Sequence, residues 1–167
     1  MSRDQKPENL IIKHAELMGG PYRNFSGAAS QKSPEGKRTF CVVLDDETAE
    51  ALIAEGWNVK TTNPKEGYEP TKFIKVNVSY AFGEPNIEVF DNENYDNGVF
   101  FNERMVGKLD RARIKYADLN ISPSSKKYDH PDGSPATYAA YLESMNVVTE
   151  CDPIAAMRRN NDDGFEE

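Results

Sequence analysis

Bases and aromatic rings alternate along three stretches of this chain. Tyr22, Arg23, Phe25, Lys32, Lys37, Arg38 and Phe40 fall between residues 21 and 40, where four bases meet one acid, Glu35. Lys72, Phe73, Lys75, Tyr80 and Phe82 form a second group; Lys126, Lys127, Tyr128, His130, Tyr138 and Tyr141 form a third. Cations that track phosphates and rings that stack on bases are what single-strand binding needs, at about 1–3 kcal/mol per stacked base and without reading sequence. The candidate nucleic-acid contacts are therefore Tyr22, Arg23, Phe25, Lys37, Arg38, Lys72, Lys75, Tyr80, Phe82, Lys126, Lys127, Tyr128 and Tyr138. The competing reading makes the rings core or loop anchors and the lysines mere loop solvation.

Acids are segregated as strongly. From Val76 to Glu103 there are six acids and no Lys or Arg, and the last eight residues, NNDDGFEE, hold four acids and one ring. Acidic termini of this kind are usually solvated interaction segments. Asp162, Asp163, Phe165 and Glu166 are the candidate partner-binding residues there, against the plainer role of a solubilising end.

Catalytic and metal patterns fail. Gly107-Lys108 and Gly36-Lys37 lack the rest of a phosphate loop. His14 falls inside an apolar strand pattern, where a structural histidine is expected, and His130 sits in the turn sequence His-Pro-Asp-Gly. A Ser-His-Asp set would need His130 as base, and no Gly-x-Ser-x-Gly elbow supports it. A calcium loop started at Glu93 would put Gly98 at position six, but also Tyr95 at three and Arg104 at twelve. Asp45, Asp46 and Glu47 are explained by helix capping. No enzyme, cofactor or metal is expected.

The elements that must position these residues read as mostly β. Strands are expected over Leu10–Leu17, Thr39–Leu44, Lys72–Phe82, Ile87–Phe90, Ile114–Ile121 and Thr137–Val148, with Trp57–Thr61 extended. Ile87–Phe90 reads as the hairpin partner of Lys72–Phe82, in which Ile74, Val76, Val78 and Tyr80 share one face and Phe73, Lys75, Asn77 and Ser79 the other. The last strand changes apolar phase near Ser144, which calls for a bend or bulge. One helix, Glu47–Glu55, starts at the Asp45-Asp46 cap, turns Leu52 and Ile53 inward and stops at Gly56. A second short helix is expected within Val99–Arg111. Residues 22–37, 63–70, 91–98 and 122–134 read as loops, the first long enough to be functional. Short strands, long loops and one helix favour an OB-like small barrel, which grips oligonucleotides through its loops.

Size and composition are consistent with one such domain. The 167 residues are 38% hydrophobic and 10% aromatic, enough for a core. The net charge of −8 argues, at face value, against a nucleic-acid coat and for an acidic interaction protein. No apolar run spans a bilayer and no signal-peptide core precedes residue 10, so a cytoplasmic protein without membrane contact is expected. Cys41 and Cys151 lack metal spacing, and Cys41 reads as a buried free thiol. The expected organisation is a flexible N-terminus at 1–9, an OB-like domain at 10–150 and a disordered acidic tail at 151–167.

Three stretches carry a resemblance: Tyr22-Arg23-Asn24-Phe25-Ser26-Gly27, then Pro34 to Leu44 (PEGKRTFCVVL), then Gly56-Trp57-Asn58-Val59-Lys60. With Ala117-Asp118-Leu119 and Ala140-Tyr141-Leu142, they resemble a family of small phage and prophage proteins. The layout is similar to phage OB-fold single-stranded-DNA-binding replication proteins. That resemblance implies a groove lined by Arg23, Phe25, Lys37, Arg38, Tyr80 and the 126–128 loop. It also implies a tail that recruits replication or recombination proteins and competes with DNA. A homodimer is compatible with the sequence but not required by it. Two rival expectations stand beside it: an acidic nucleic-acid mimic that occupies a host protein's basic groove, and a virion structural component.

Overall fold

The computed structural model describes residues 6–28, 36–62, 69–81 and 83–150. Phe82 and the tail residues Asp162, Asp163, Phe165 and Glu166 lie outside the described residues, as does the whole 151–167 segment. In chain order the elements are β1 (Leu10–Ala15), β2 (Arg23–Asn24), β3 (Arg38–Leu44), α1 (Asp46–Glu55), β4 (Val59–Thr61), β5 (Lys72–Val78), β6 (Asn86–Phe90), β7 (Val99–Phe100), β8 (Ile114–Tyr128) and β9 (Thr137–Thr149). Short 3-10 turns occupy Gly20–Tyr22 and Val106–Asp110.

The strands form one mixed sheet with the path β1-β8-β9-β5-β3-β2. Its far sides approach each other: Leu17, just past β1, bridges Val42 on β3, with the Met18 N–H on the Cys41 carbonyl (2.9 Å) and the Val43 N–H on the Glu16 carbonyl (2.9 Å). Strands β1, β8, β9, β5 and β3 thus curl around one core, antiparallel to one another except at β5–β9. The fold is mostly β, with a single α-helix among the described residues, and is compatible with a small OB-like β fold.

Alternation in the sequence builds the interior. Phe40, Val42 and Leu44 on β3, Ile74, Val76 and Val78 on β5, Ala117, Leu119 and Ile121 on β8, and Ala140, Leu142, Met145 and Val147 on β9 are all buried. Each such large aliphatic or aromatic side chain contributes about 1.5–3 kcal/mol on burial.

The helix begins where expected: Asp45 accepts the Thr48 N–H at 2.7 Å, and Gly56 ends the helix with φ 97°, a left-handed position open to glycine. Ala49 and Leu52 face the core, but Ile53, expected inside, is 55% exposed. Ile53 is one residue past Leu52, about 100° around the helix, and a ten-residue helix lying on one side has room for a narrow stripe only.

Two local expectations are corrected. Ile87–Phe90 is not the hairpin partner of β5. As β6 it runs parallel to the C-terminal half of β9, Asn86 opposite Ser144 through Phe90 opposite Val148, while β5 pairs with Ala140 and Tyr141 on the same edge of β9. Thirteen residues of β9 are long enough to hold both in succession, and the register shift around Glu143 supplies the bend that the apolar phase change near Ser144 predicts.

The 122–134 stretch is not all loop either: β8 continues to Tyr128 and pairs with β9 up to Thr137. Pro123 cannot donate to a ladder, and the irregularity after it is closed by Ser124. The Ser124 hydroxyl accepts the Ala139 N–H at 2.9 Å and donates to the Lys126 carbonyl at 2.7 Å.

Candidate nucleic-acid interface

The outer face of β5 carries the odd residues Phe73, Lys75 and Asn77, as the alternation requires. Register sets Cys41 of β3 opposite Lys75, Thr39 opposite Asn77, and Tyr141 of β9 on the other side of Asn77. The Asn77 amide donates to the Ala140 carbonyl at 3.0 Å and seals the parallel seam.

Three depressions run along this seam and share lining residues. The first, about 180 Å³, is walled by Lys37, Lys60 and Lys75 over Asn58 and Tyr138. Lys37 and Asn77 are shared with the second, about 500 Å³, which adds Arg38, Tyr80, Glu103 and Tyr141. Ser79 and Tyr141 are shared with the third, about 430 Å³, which reaches Glu84, the Ser122–Ser125 stretch and Tyr128. Together they make one groove from the lysine cluster, across the β5–β9 seam, to the β8–β9 hairpin.

The electrostatics are lopsided. Lys75 is half-buried, and its ammonium is held below the ordinary lysine value, first by burial and then by repulsion from Lys37 and Lys60. None of these three lysines forms an ion pair with a described residue. Below them the Cys41 thiol is buried and free, as expected, and burial pushes it up to about 11 despite the nearby lysines.

Arg38 lies 5.1 Å over the Tyr80 ring and pairs with Glu103 at 3.3 Å. Burial raises the Tyr80 phenol, with Arg38 pulling the other way. Tyr128, which lines the third depression, is 47% exposed, and Lys127 stands 5.5 Å over the ring of Tyr138, on the floor of the first.

The candidate contacts therefore separate. Lys37, Arg38, Lys75, Tyr80 and Tyr128 line the groove, and Lys126 and Lys127 are exposed near the end of β8. Others serve the fold. Phe25 is fully buried and stacks on Phe40 at 5.0 Å, so it has no face for a base.

Arg23 donates Nη1 to the Ala112 (2.9 Å) and Leu109 (3.2 Å) carbonyls and Nε to the Met18 carbonyl (3.2 Å). That guanidinium is committed to tying the β1–β2 connection to the 3-10 turn, and its pKa is lowered by burial, with Asp110 opposing. Tyr138 is 4% exposed and forms groove floor rather than a stacking platform. Tyr22 packs edge-on against Phe73, and Lys72 pairs with Asp46 at 3.2 Å.

Three groove residues were not in the predicted set: Lys60, Asn77 and Tyr141. The alternation along β9 (Tyr138, Ala140 and Leu142 in, Tyr141 out) carries the signal that would have chosen Tyr141 over Tyr138. Lys60 shows no such signal, because its position follows from β4 pairing with β5, Lys60 opposite Phe73.

The histidines are structural in surroundings. His14 (φ 52°) sits at the β1 irregularity with its N–H on Asp118 and its ring 4.1 Å from Tyr116. His130 Nε2 lies 2.7 Å from the Thr137 hydroxyl. No group of three or more potential metal ligands occurs among the described residues, and no helix among them is long and apolar enough to cross a membrane.

A groove with cations at one end and tyrosines along it suits a phosphate-linked chain of bases, and comparison with known families gives the same direction. The model of a family described as "Putative phage ssDNA-binding domain" matches residues 1–160. The chain belongs to this family. The phage ssDNA-binding domain family thus covers nearly the whole sequence, including every element that lines the groove. No curated protein and no solved structure matches the chain.

Proposed function

We propose that this protein is a non-catalytic single-stranded-DNA-binding protein of phage origin that holds DNA in the groove along β5 and β9. Lys37, Lys60, Lys75 and Arg38 attract the backbone phosphates, and Tyr141 and Tyr128 stack on bases. The observation that carries the reading is the crowding of three lysines in a groove that also holds the half-buried Tyr80 and Tyr141 and the exposed Tyr128, in a chain whose family is a phage ssDNA-binding domain. Like charges are costly to cluster without a partner, so a polyanion that relieves their repulsion binds there with gain.

Within the phage cycle the protein acts in DNA replication or recombination in the host cytoplasm. Its acidic end, with Asp162, Asp163, Phe165 and Glu166, recruits proteins of those processes. Fluorescence anisotropy with labelled oligo-dT, chased by unlabelled single-stranded or duplex DNA, tests the reading. Binding displaced preferentially by the single strand is expected; no binding at low salt contradicts it. Loss of a co-purifying polymerase, helicase or recombinase on deletion of 160–167 tests the tail role, and its retention contradicts that role.

A further inference from the structure

We propose that Glu103 is an internal stand-in for a phosphate. Its carboxylate holds the anion position on Arg38 in the free protein, and a backbone phosphate of single-stranded DNA takes that position on binding. The inference rests on the ssDNA reading above and adds the exchange at the middle of the groove.

The geometry is one of incomplete satisfaction. The Arg38 side chain is 18% exposed and Glu103 56%, so the carboxylate reaches in from the solvent side over a mostly sequestered guanidinium. It makes one contact, Arg38 Nη1 to Glu103 Oε1 at 3.3 Å, long for a charge-assisted hydrogen bond and not the two-pronged fork that arginine and carboxylate can form.

Arg38 Nε is buried with no hydrogen-bond partner among the described residues, and so is the Tyr80 hydroxyl close by. Two orphaned buried donors in one place are costly unless a ligand meets them. A phosphodiester offers two unesterified oxygens carrying a full charge, and it can accept from both edges of the guanidinium or from arginine and tyrosine together. Lys37 lines the same depression and adds attraction for an anion there.

Glu103 is set up to leave. It lies on a turn whose neighbouring N–H groups, Arg104 and Met105, are held by the Asn102 side chain at 3.0 and 3.1 Å, so the turn does not depend on the ion pair. An exposed single-contact pair is weak, and salt screens it further. Exchange swaps one long contact for several, and it favours a polyanion that also engages the lysine cluster over a short anion.

The test is a double-mutant cycle read by oligo-dT anisotropy at fixed salt, with Glu84, another acid of the groove, as control. Glu103→Gln is expected to tighten binding about two- to fivefold, the worth of one exposed ion pair. Glu84→Gln is expected to tighten it by about 1.5-fold at most, through screened repulsion alone. In the Arg38→Gln background the Glu103→Gln gain is expected to vanish.

An equal gain from Glu84→Gln, or a Glu103→Gln gain that survives Arg38→Gln, overturns the stand-in and leaves only general repulsion. Wild-type binding with no Glu103→Gln gain also overturns the stand-in while the ssDNA reading stands. No binding by any variant overturns both.

Discussion

The groove and the 76–103 segment carry opposite charge in very different ways. In the groove, Lys37, Lys60 and Lys75 crowd together without an ion pair to a described residue, so their fields add. In the segment the six acids are dispersed. Glu93 pairs with Lys115 at 2.9 Å on β8, Asp91 accepts from Asn92 within its own turn, and Glu84 and Glu103 stand at the groove itself. Tyr95 ties the segment to β8 through its hydroxyl on Asp118 at 2.7 Å. Acids spread along a segment, two of them in ion pairs, make a weaker local field than like charges gathered in one cleft. The comparison therefore favours the groove over the acidic segment as the interaction surface, although the acids outnumber the bases.

The largest expected effect is on the crowded side. Lys37→Gln, Lys60→Gln and Lys75→Gln combined should reduce the salt slope of oligo-dT binding by about 2, close to 0.7 per lost single-strand contact. At 0.1 M salt that corresponds to roughly 100-fold weaker binding. Next come the rings: Tyr141→Ala and Tyr128→Ala should each cost about 1–3 kcal/mol of affinity, with the salt slope unchanged. An altered slope would place those tyrosines in charge positioning rather than stacking.

Arg23→Ala should act on the other axis. It strips donors from three or more buried carbonyl contacts and should lower unfolding free energy by roughly 1–3 kcal/mol in urea titration, while the folded variant keeps its affinity and salt slope. Lost slope would return Arg23 to the groove.

pH gives a smaller effect. Because the folded Lys75 pKa is depressed, a bound phosphate must raise it, and binding takes up protons on the alkaline side. Affinity should be flat near neutrality and fall as pH climbs toward the ordinary lysine range, starting earlier than an ordinary lysine would allow; Lys75→Gln should remove that early onset. The smallest effect belongs to the dispersed side: Asp91→Asn, Glu93→Gln and Asp96→Asn together should change affinity by less than about twofold. A large gain there would show that the segment's field reaches the groove.

The sequence made much of this legible, in proportion to how local each feature is. The Asp45 cap, the Gly56 stop, the two faces of β5 and the buried Cys41 follow from nearest-neighbour chemistry. Strand partners do not. Ile87–Phe90 looks like a hairpin return because it follows a tight turn, and only the long parallel contact with β9 decides otherwise.

The site shows the same limit. Composition alone points to the stretches that hold the groove-lining Lys37, Arg38, Lys75 and Tyr128, but it cannot tell an aromatic facing solvent from one facing the core. By composition the buried Phe25 and Tyr138 look the same as Tyr80, and Arg23 looks like a free cation although it donates to backbone carbonyls. Lys60 enters only through the pairing of β4 with β5. The net charge of −8 misleads for a related reason: four of those negatives fall in the last eight residues, leaving −4 for residues 1–159, whereas the groove is a local cluster.

The most direct test of the account is the salt dependence of oligo-dT anisotropy for the wild type beside the Lys37→Gln/Lys60→Gln/Lys75→Gln variant. Log affinity should fall linearly with log salt in the wild type, with a slope shallower by about 2 in the variant. Equal slopes, or wild-type binding indifferent to salt, would contradict it.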